Sequence, residues 1–204
     1  MKKIMFLLLV GAFMFPGLKM FAQCKQVSGD VRVLKGQTII NLQYDYSNMA
    51  VGKFKDEKDY IAKRTADMNN KKPGDGDRWA EAWKNDRASR FQPMFEKNLN
   101  QKTSKFNVNL KENATSAKYT LIIRTTFTEP GFNAVEVHRK AYIALQVDLV
   151  ETANPSKVIA SIDMKKEESI NMMGFDYDTG GRIQSAYDRA GENLGSFLVK
   201  NVFK

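Results

Sequence analysis

Hydrophobic and polar positions alternate sharply in several stretches of this chain. Between Thr38 and Ser47 the apolar set is Ile40, Leu42, Tyr44 and Tyr46, with Asn41, Gln43 and Asp45 between them. A period of two predicts a half-buried strand. The same reading predicts a short strand through Phe106, Val108 and Leu110. A long one follows through Tyr119, Leu121, Ile123, Thr125 and Phe127, ended by Glu129-Pro130-Gly131. Another runs from Ala141 to Glu151 with Ile143, Leu145, Val147 and Leu149 inward. A turn at Ala153-Asn154-Pro155-Ser156 leads to the last, through Val158, Ala160, Ile162 and Met164. Connections this short favour antiparallel neighbours. Residues 23–36 have no clear period and read as a lead-in.

Other stretches carry the helical period. Residues 55–68 are polar, with Tyr60, Ile61 and Met68, and predict an exposed helix. After the break Lys71-Lys72-Pro73-Gly74-Asp75-Gly76, Asp77 reads as an N-cap. Trp79, Trp83, Phe91, Phe95 and Leu99 then recur at multiples of four, with Pro93 predicting a kink or restart. Such a stripe suits a core; two tryptophans four apart also suit a sugar platform. The final helix follows Thr179-Gly180-Gly181, with Ile183, Ala186, Tyr187, Ala190, Leu194, Phe197 and Leu198 on one side. Gly191 and Gly195 would let this helix approach the sheet. Runs of strands and helices rather than strict alternation predict an α+β fold. The expected form is a mainly antiparallel sheet of about five strands with helices packed on one face.

The amino terminus changes the picture of compartment. Met1-Lys2-Lys3 precedes an apolar run from Ile4 to Phe15, broken by Pro16-Gly17 and closed by Met20-Phe21-Ala22. That is the order of a cleavable signal peptide over residues 1–22. The run is shorter than the roughly 20 residues of a membrane span, and no later stretch approaches that length. The expected mature chain is one globular domain, residues 23–204, with no transmembrane span. Cys24, the only cysteine, excludes an internal disulfide. It leaves open a lipid anchor, although Gln23 stands where an acylated cysteine would normally begin the mature protein. The expected location is the periplasm or the outer-membrane periphery of a Gram-negative bacterium.

At 43% hydrophobic and 27% charged the composition is globular. Without Lys2, Lys3 and Lys19 the formal balance is 29 basic against 23 acidic residues. These charges are interspersed, as in Lys53-Phe54-Lys55-Asp56-Glu57-Lys58-Asp59, and no block of cations with aromatics points to nucleic acid.

Catalytic patterns are missing. One histidine, His138, and one cysteine do not make a zinc site of the common kinds. No Gly-x-Ser-x-Gly elbow, phosphate-cradling loop or dinucleotide fingerprint occurs in the mature chain. Asp176-Tyr177-Asp178-Thr179-Gly180 opens like a calcium loop, but Tyr187 stands where the bidentate carboxylate belongs. The carboxylates Asp148 with Glu151, and Glu167 with Glu168, carry nothing that marks them off from solvated charges. No cofactor, metal site or enzymatic activity is expected.

The segment Ala117-Lys118-Tyr119-Thr120-Leu121-Ile122-Ile123 resembles a signature of bacterial envelope proteins: alanine, a polar residue, tyrosine, then an apolar strand. The group includes the TolB amino-terminal domain and the curli-secretion lipoprotein. The resemblance extends as topology over residues 38–204. It implies a non-catalytic accessory or assembly role, with no shared catalytic residues. The expected function is therefore an exported envelope protein that contacts protein partners. The alternative is a periplasmic module binding a small ligand or glycan.

Topology suggests where a partner would bind. If the three long strands form a meander, the first and third end at the same edge of the sheet. The loops that leave them, 129–140 and 166–181, then lie together, and both exceed the usual length. Phe132 and Val135 in one, and Met172, Met173, Phe175 and Tyr177 in the other, form a candidate partner-binding surface. The same residues could instead fold back over the core.

Overall fold

In the computed structural model, residues 24–133, 137–170 and 178–204 are described. The strands are β1 (Cys24–Gly29), β2 (Ile39–Asp45), β3 (Ala50–Val51), β4 (Asn109–Glu112), β5 (Tyr119–Glu129), β6 (Phe132–Asn133), β7 (His138–Arg139), β8 (Tyr142–Glu151) and β9 (Asn154–Glu168). The helices are α1 (Glu57–Asn69), α2 (Asp75–Asp86), α3 (Gln92–Thr103) and α4 (Thr179–Leu198). The fold is α+β, as the pattern predicts. Its sheet has seven strands, ordered β1-β9-β8-β5-β2-β4 with β3 also on β5, and β6 and β7 form a separate ribbon.

The β5-β8-β9 meander is antiparallel throughout, while β2 runs parallel to both β5 and β4. The parallel pairing follows from the α1–α3 crossover between β2 and β4, which returns the chain to the end from which β2 departed. Strand β1 corrects the reading of residues 23–36 as a lead-in. It pairs with β9 at the sheet edge, and its residues from Lys25 onward are exposed. An edge strand with no buried face shows no alternation to read.

One face of the sheet is apolar. Ile40, Leu42, Leu121, Ile123, Val147, Leu149, Ile162 and Met164 meet Phe95 and Leu99 of α3 and Ile183, Tyr187 and Leu194 of α4 in a single core. Val158, expected inward, is exposed. The β8-β9 register slips between Val150 and Leu149, which turns it outward. The turn joining these strands is Thr152-Ala153, tighter than expected, with Glu151 opposite Asn154.

The opposite face mixes the buried Ile122 and Val150 with a polar network. Asp148 accepts hydrogen bonds from Ser161 Oγ (2.7 Å), Gln146 Nε2 (3.0 Å) and Arg124 Nε (3.0 Å), and Arg124 also binds Asp45. Asn41 Nδ2 donates to Thr120 Oγ1 (3.1 Å) and its Oδ1 accepts from the Ala114 amide (2.8 Å), which fastens the 113–118 connection over this face.

The helices depart from expectation at their joints. Gly74, in the left-handed conformation at φ 83°, caps α2, and Asp77 lies inside the first turn. Between α2 and α3 the backbone continues through one π-helical turn, Arg87–Phe91, and Pro93 opens α3. Pro tolerates the first turn, so the predicted kink takes the form of a restart. Gly191 and Gly195 do permit a close approach, but to α3. A Cβ on Gly195 would lie 2.9 Å from the Leu99 carbonyl oxygen. Among the described residues no helix is long and apolar enough to cross a membrane.

Candidate functional site

Strands β5 and β9 end at the same edge, so the connections leaving them meet there. Arg182, in the first turns of α4 and 7% exposed, ties them together. Its Nε donates to the Pro130 carbonyl (3.1 Å), and its Nη2 to the Gly131 carbonyl (3.3 Å) and Thr179 Oγ1 (3.1 Å). The amide of Ser169 donates to the Ala141 carbonyl (2.9 Å), and that of Ile170 to Ser185 Oγ (2.9 Å). Lys140 lies 3.6 Å from Glu168. Three large apolar side chains remain exposed around these ties: Phe132 at 42%, Val137 at 59% and Ile170 at 50%.

Of the residues proposed for a partner surface, Phe132 is in place, in β6, with the Arg139 guanidinium 5.7 Å above its ring. Val135, Met172, Met173, Phe175 and Tyr177 lie outside the described residues. Val137, Ile170 and Arg182 belong to the same end and were missed by sequence reasoning. Val137 and Ile170 are isolated between polar neighbours, Glu136 and His138, and Ser169 and Asn171, so no run or period marks them. Nothing in the sequence separates Arg182 from any helix-surface cation.

Asp178 closes the far side of this end. It caps α4 by accepting from the Gly180 amide (3.0 Å) and pairs with Arg90 of the π-helical turn. Burial opposes its charge, but the Arg90 and Gly180 bonds hold the carboxyl below the usual range. Asp178 is thus a helix cap, and residues 179–187 are helical, so the calcium-loop spacing has no loop to act through. Among the described residues no three His, Cys, Asp or Glu side chains gather as a metal site.

His138 is exposed in β7, opposite Asn133. Cys24 packs against the core at the start of β1, and burial together with the nearby Glu167 carboxylate pushes its thiol up to about 12. A thiol so far from ionising is a poor nucleophile. Glu167 is fully buried beneath α4, bonded by Asn193 Nδ2 (2.6 Å). Burial raises its carboxyl to about 7, against the lowering effects of Asn193 and Arg189. Glu168 points the other way, into the Lys140 and Lys166 ion pairs. Glu167 and Asp148 are therefore buried side chains, contrary to the reading of them as solvated charges.

The tryptophans belong to an aromatic cluster. Trp83 is 6% exposed and donates its Nε1 hydrogen to Glu57 (2.6 Å), and Glu57 also pairs with Arg87. Tyr60 packs at 5.1 Å from Trp83 and 5.7 Å from Trp79. Trp79 is half-buried, with Arg64 5.9 Å above its ring. The two indoles tilt toward each other at 35°, so they do not present parallel outward faces to a sugar.

No family model and no curated protein matches this chain. Among solved structures it is similar to the PelC dodecamer from Paraburkholderia phytofirmans, with a TM-score of 0.38 and 10% identity. That match covers 82% of this chain and 97% of the other. A point variant of that dodecamer matches at 0.36 and 10% identity, covering 82% and 96%.

Proposed function

We propose that this chain is an exported envelope protein with a non-catalytic binding or assembly role. It would engage a protein partner through the end of the sheet where the 129–140 and 166–181 connections meet. The observation that carries this reading is the exposure of Phe132, Val137 and Ile170 around a framework held by Arg182. Exposed apolar side chains on tied-down backbone give a partner area to bury without a large ordering cost. Met172, Met173, Phe175 and Tyr177, which precede α4 in sequence, would extend the same surface. The leader pattern of residues 1–22 supports export to the periplasm or outer-membrane periphery. The high thiol pKa of Cys24 and the sealed position of Glu167 support a role without covalent or acid–base chemistry.

The test is cross-linking in the native envelope, comparing the unaltered chain with Phe132→Ser and with the double variant Met173→Ser, Phe175→Ser. The reading requires partner capture to fall while the melting temperature holds. A large drop in melting temperature would make these side chains core, and the proposed surface would be withdrawn. Intact mass of the mature protein decides export: a chain beginning at Gln23 fits, and an acylated Cys24 would replace the soluble form with an anchored one.

A further inference from the structure

We infer that the opposite end of the molecule is a docking surface for an anionic lipid bilayer. Here β2, β4 and β5 begin, β8 turns into β9, and α3 and α4 finish. Five separate segments bring exposed lysines to it. Lys35 follows the 3₁₀ turn Val31–Leu34, Lys105 lies in the turn Ser104–Phe106, and Lys118 precedes β5. Lys157 stands near the start of β9, and Lys200 and Lys204 follow α4. The turn Val31–Leu34 packs on the π-helical turn Val199–Phe203, and the Phe106 and Phe203 rings lie 6.2 Å apart. These contacts bring the first, second and last lysine groups together.

The charge on this end is largely uncompensated. Among the described residues none of these six lysines makes an ion pair, whereas at the opposite end Arg90, Arg139, Lys140 and Lys166 do. Of the acids at this end, Asp30 is already bound by Arg32, and Glu151 stands at the β8-β9 turn. Lys105, Lys200 and Lys204 also complement the ends of α3 and α4. Lys35, Lys118 and Lys157 stand at strand connections, where that explanation does not apply.

Two features favour a bilayer over a soluble polyanion. Strands about 4.8 Å apart spread the lysines across roughly 20 Å of sheet, a breadth suited to a surface rather than to one chain in a groove. Val33, 38% exposed in the same turn as Arg32 and close before Lys35 in the chain, offers an apolar contact that headgroups and acyl chains can cover. Each of these lysines adds its own attraction to an anionic surface, about 1 kcal/mol where it comes close to the headgroups. Bound this way, the molecule would hold its apolar Phe132 end away from the membrane. Cys24 lies at the far end of β1 from Gly29, so this attachment is distinct from an acyl anchor. The inference does not depend on the partner-binding reading.

The test is co-sedimentation of the chain beginning at Gln23 with phosphatidylcholine vesicles, with and without phosphatidylglycerol. Binding is expected only with phosphatidylglycerol, and high salt should release it. The combined variant Lys35→Gln, Lys105→Gln, Lys118→Gln, Lys200→Gln should lower partitioning roughly a hundredfold or more. A control with the same loss of charge, Lys53→Gln, Lys55→Gln, Lys58→Gln, Lys71→Gln, should keep most of it. Melting temperatures establish that both fold, and the single changes are read if either does not. No binding to phosphatidylglycerol vesicles would overturn the inference. So would an equal loss in the control, or retention on soluble alginate without vesicle binding.

Discussion

Gly191 of α4 lies directly against the backbone carbonyl of Phe95 in α3. An added methyl group would drive into that carbonyl oxygen, and backbone cannot swing aside as a side chain can. Replacing glycine by alanine inside a helix ordinarily gains up to about 1 kcal/mol. Here overpacking should reverse the sign, and Gly191→Ala should destabilise the protein by roughly 1–3 kcal/mol. Denaturant unfolding measures this. A variant as stable as the parent would show that α3 and α4 do not meet as closely as described.

That contact also shows what could be read from the chain. The four-residue spacing of Gly191 and Gly195 signals a close approach, but nothing in it says whether a sheet or a helix is approached. The meander was legible because β5, β8 and β9 each turn one apolar face to the helices, and that alternation imposes a period of two. Strand β1 escaped because both its faces are open to solvent. The basic end escaped for a different reason. Lys35, Lys105, Lys118, Lys157 and Lys200 are isolated in sequence, and only the shared direction of β2, β4 and β5 gathers them. The meeting of the two long connections was legible from strand direction alone. Arg182, which fastens them, was not, since its partners are backbone carbonyls some fifty residues away.

Glu167 predicts a pH dependence of its own. Its carboxyl is raised from an ordinary 4.5 to about 7, so the folded protein holds this proton more tightly than the unfolded chain. The associated stability is fully present below pH 4.5 and is lost as pH rises through about 7. Glu167→Gln keeps the shape without the ionisation. Relative to the parent it should therefore gain stability between those limits, by on the order of 3 kcal/mol at most. Melting curves of the two proteins from pH 4 to 8 test this. Parallel curves would mean that Glu167 titrates normally.

Tryptophan fluorescence separates core from platform. Trp83 is sealed and bonded to Glu57, while Trp79 keeps part of its surface. Acrylamide should quench Trp79 in the Trp83→Phe variant more strongly than Trp83 in the Trp79→Phe variant. Oligosaccharides should leave both emission spectra unchanged. A spectral shift with a saturable sugar would restore the glycan-binding alternative.

Arg182 offers a local test of the end where the connections meet. Its guanidinium is planar and reaches two successive carbonyls, Pro130 and Gly131, while also holding Thr179. Replacing it with glutamine leaves at least one of those carbonyls without its charged donor. Hydrogen bonds to charged groups contribute roughly 1.5–3 kcal/mol each, so Arg182→Gln should cost about 2–4 kcal/mol. Lysine keeps the charge but has no fork, and Arg182→Lys should recover only part of the loss. The loss should also be localised. Hydrogen exchange at the amides of Gly131, Ser169 and Ile170 should speed up in Arg182→Gln by more than at Leu121, Ile123 or Val147 in the central strands. If Arg182 served only the core of α4, exchange would rise uniformly with the loss of global stability, and its role in fastening the two connections would be withdrawn.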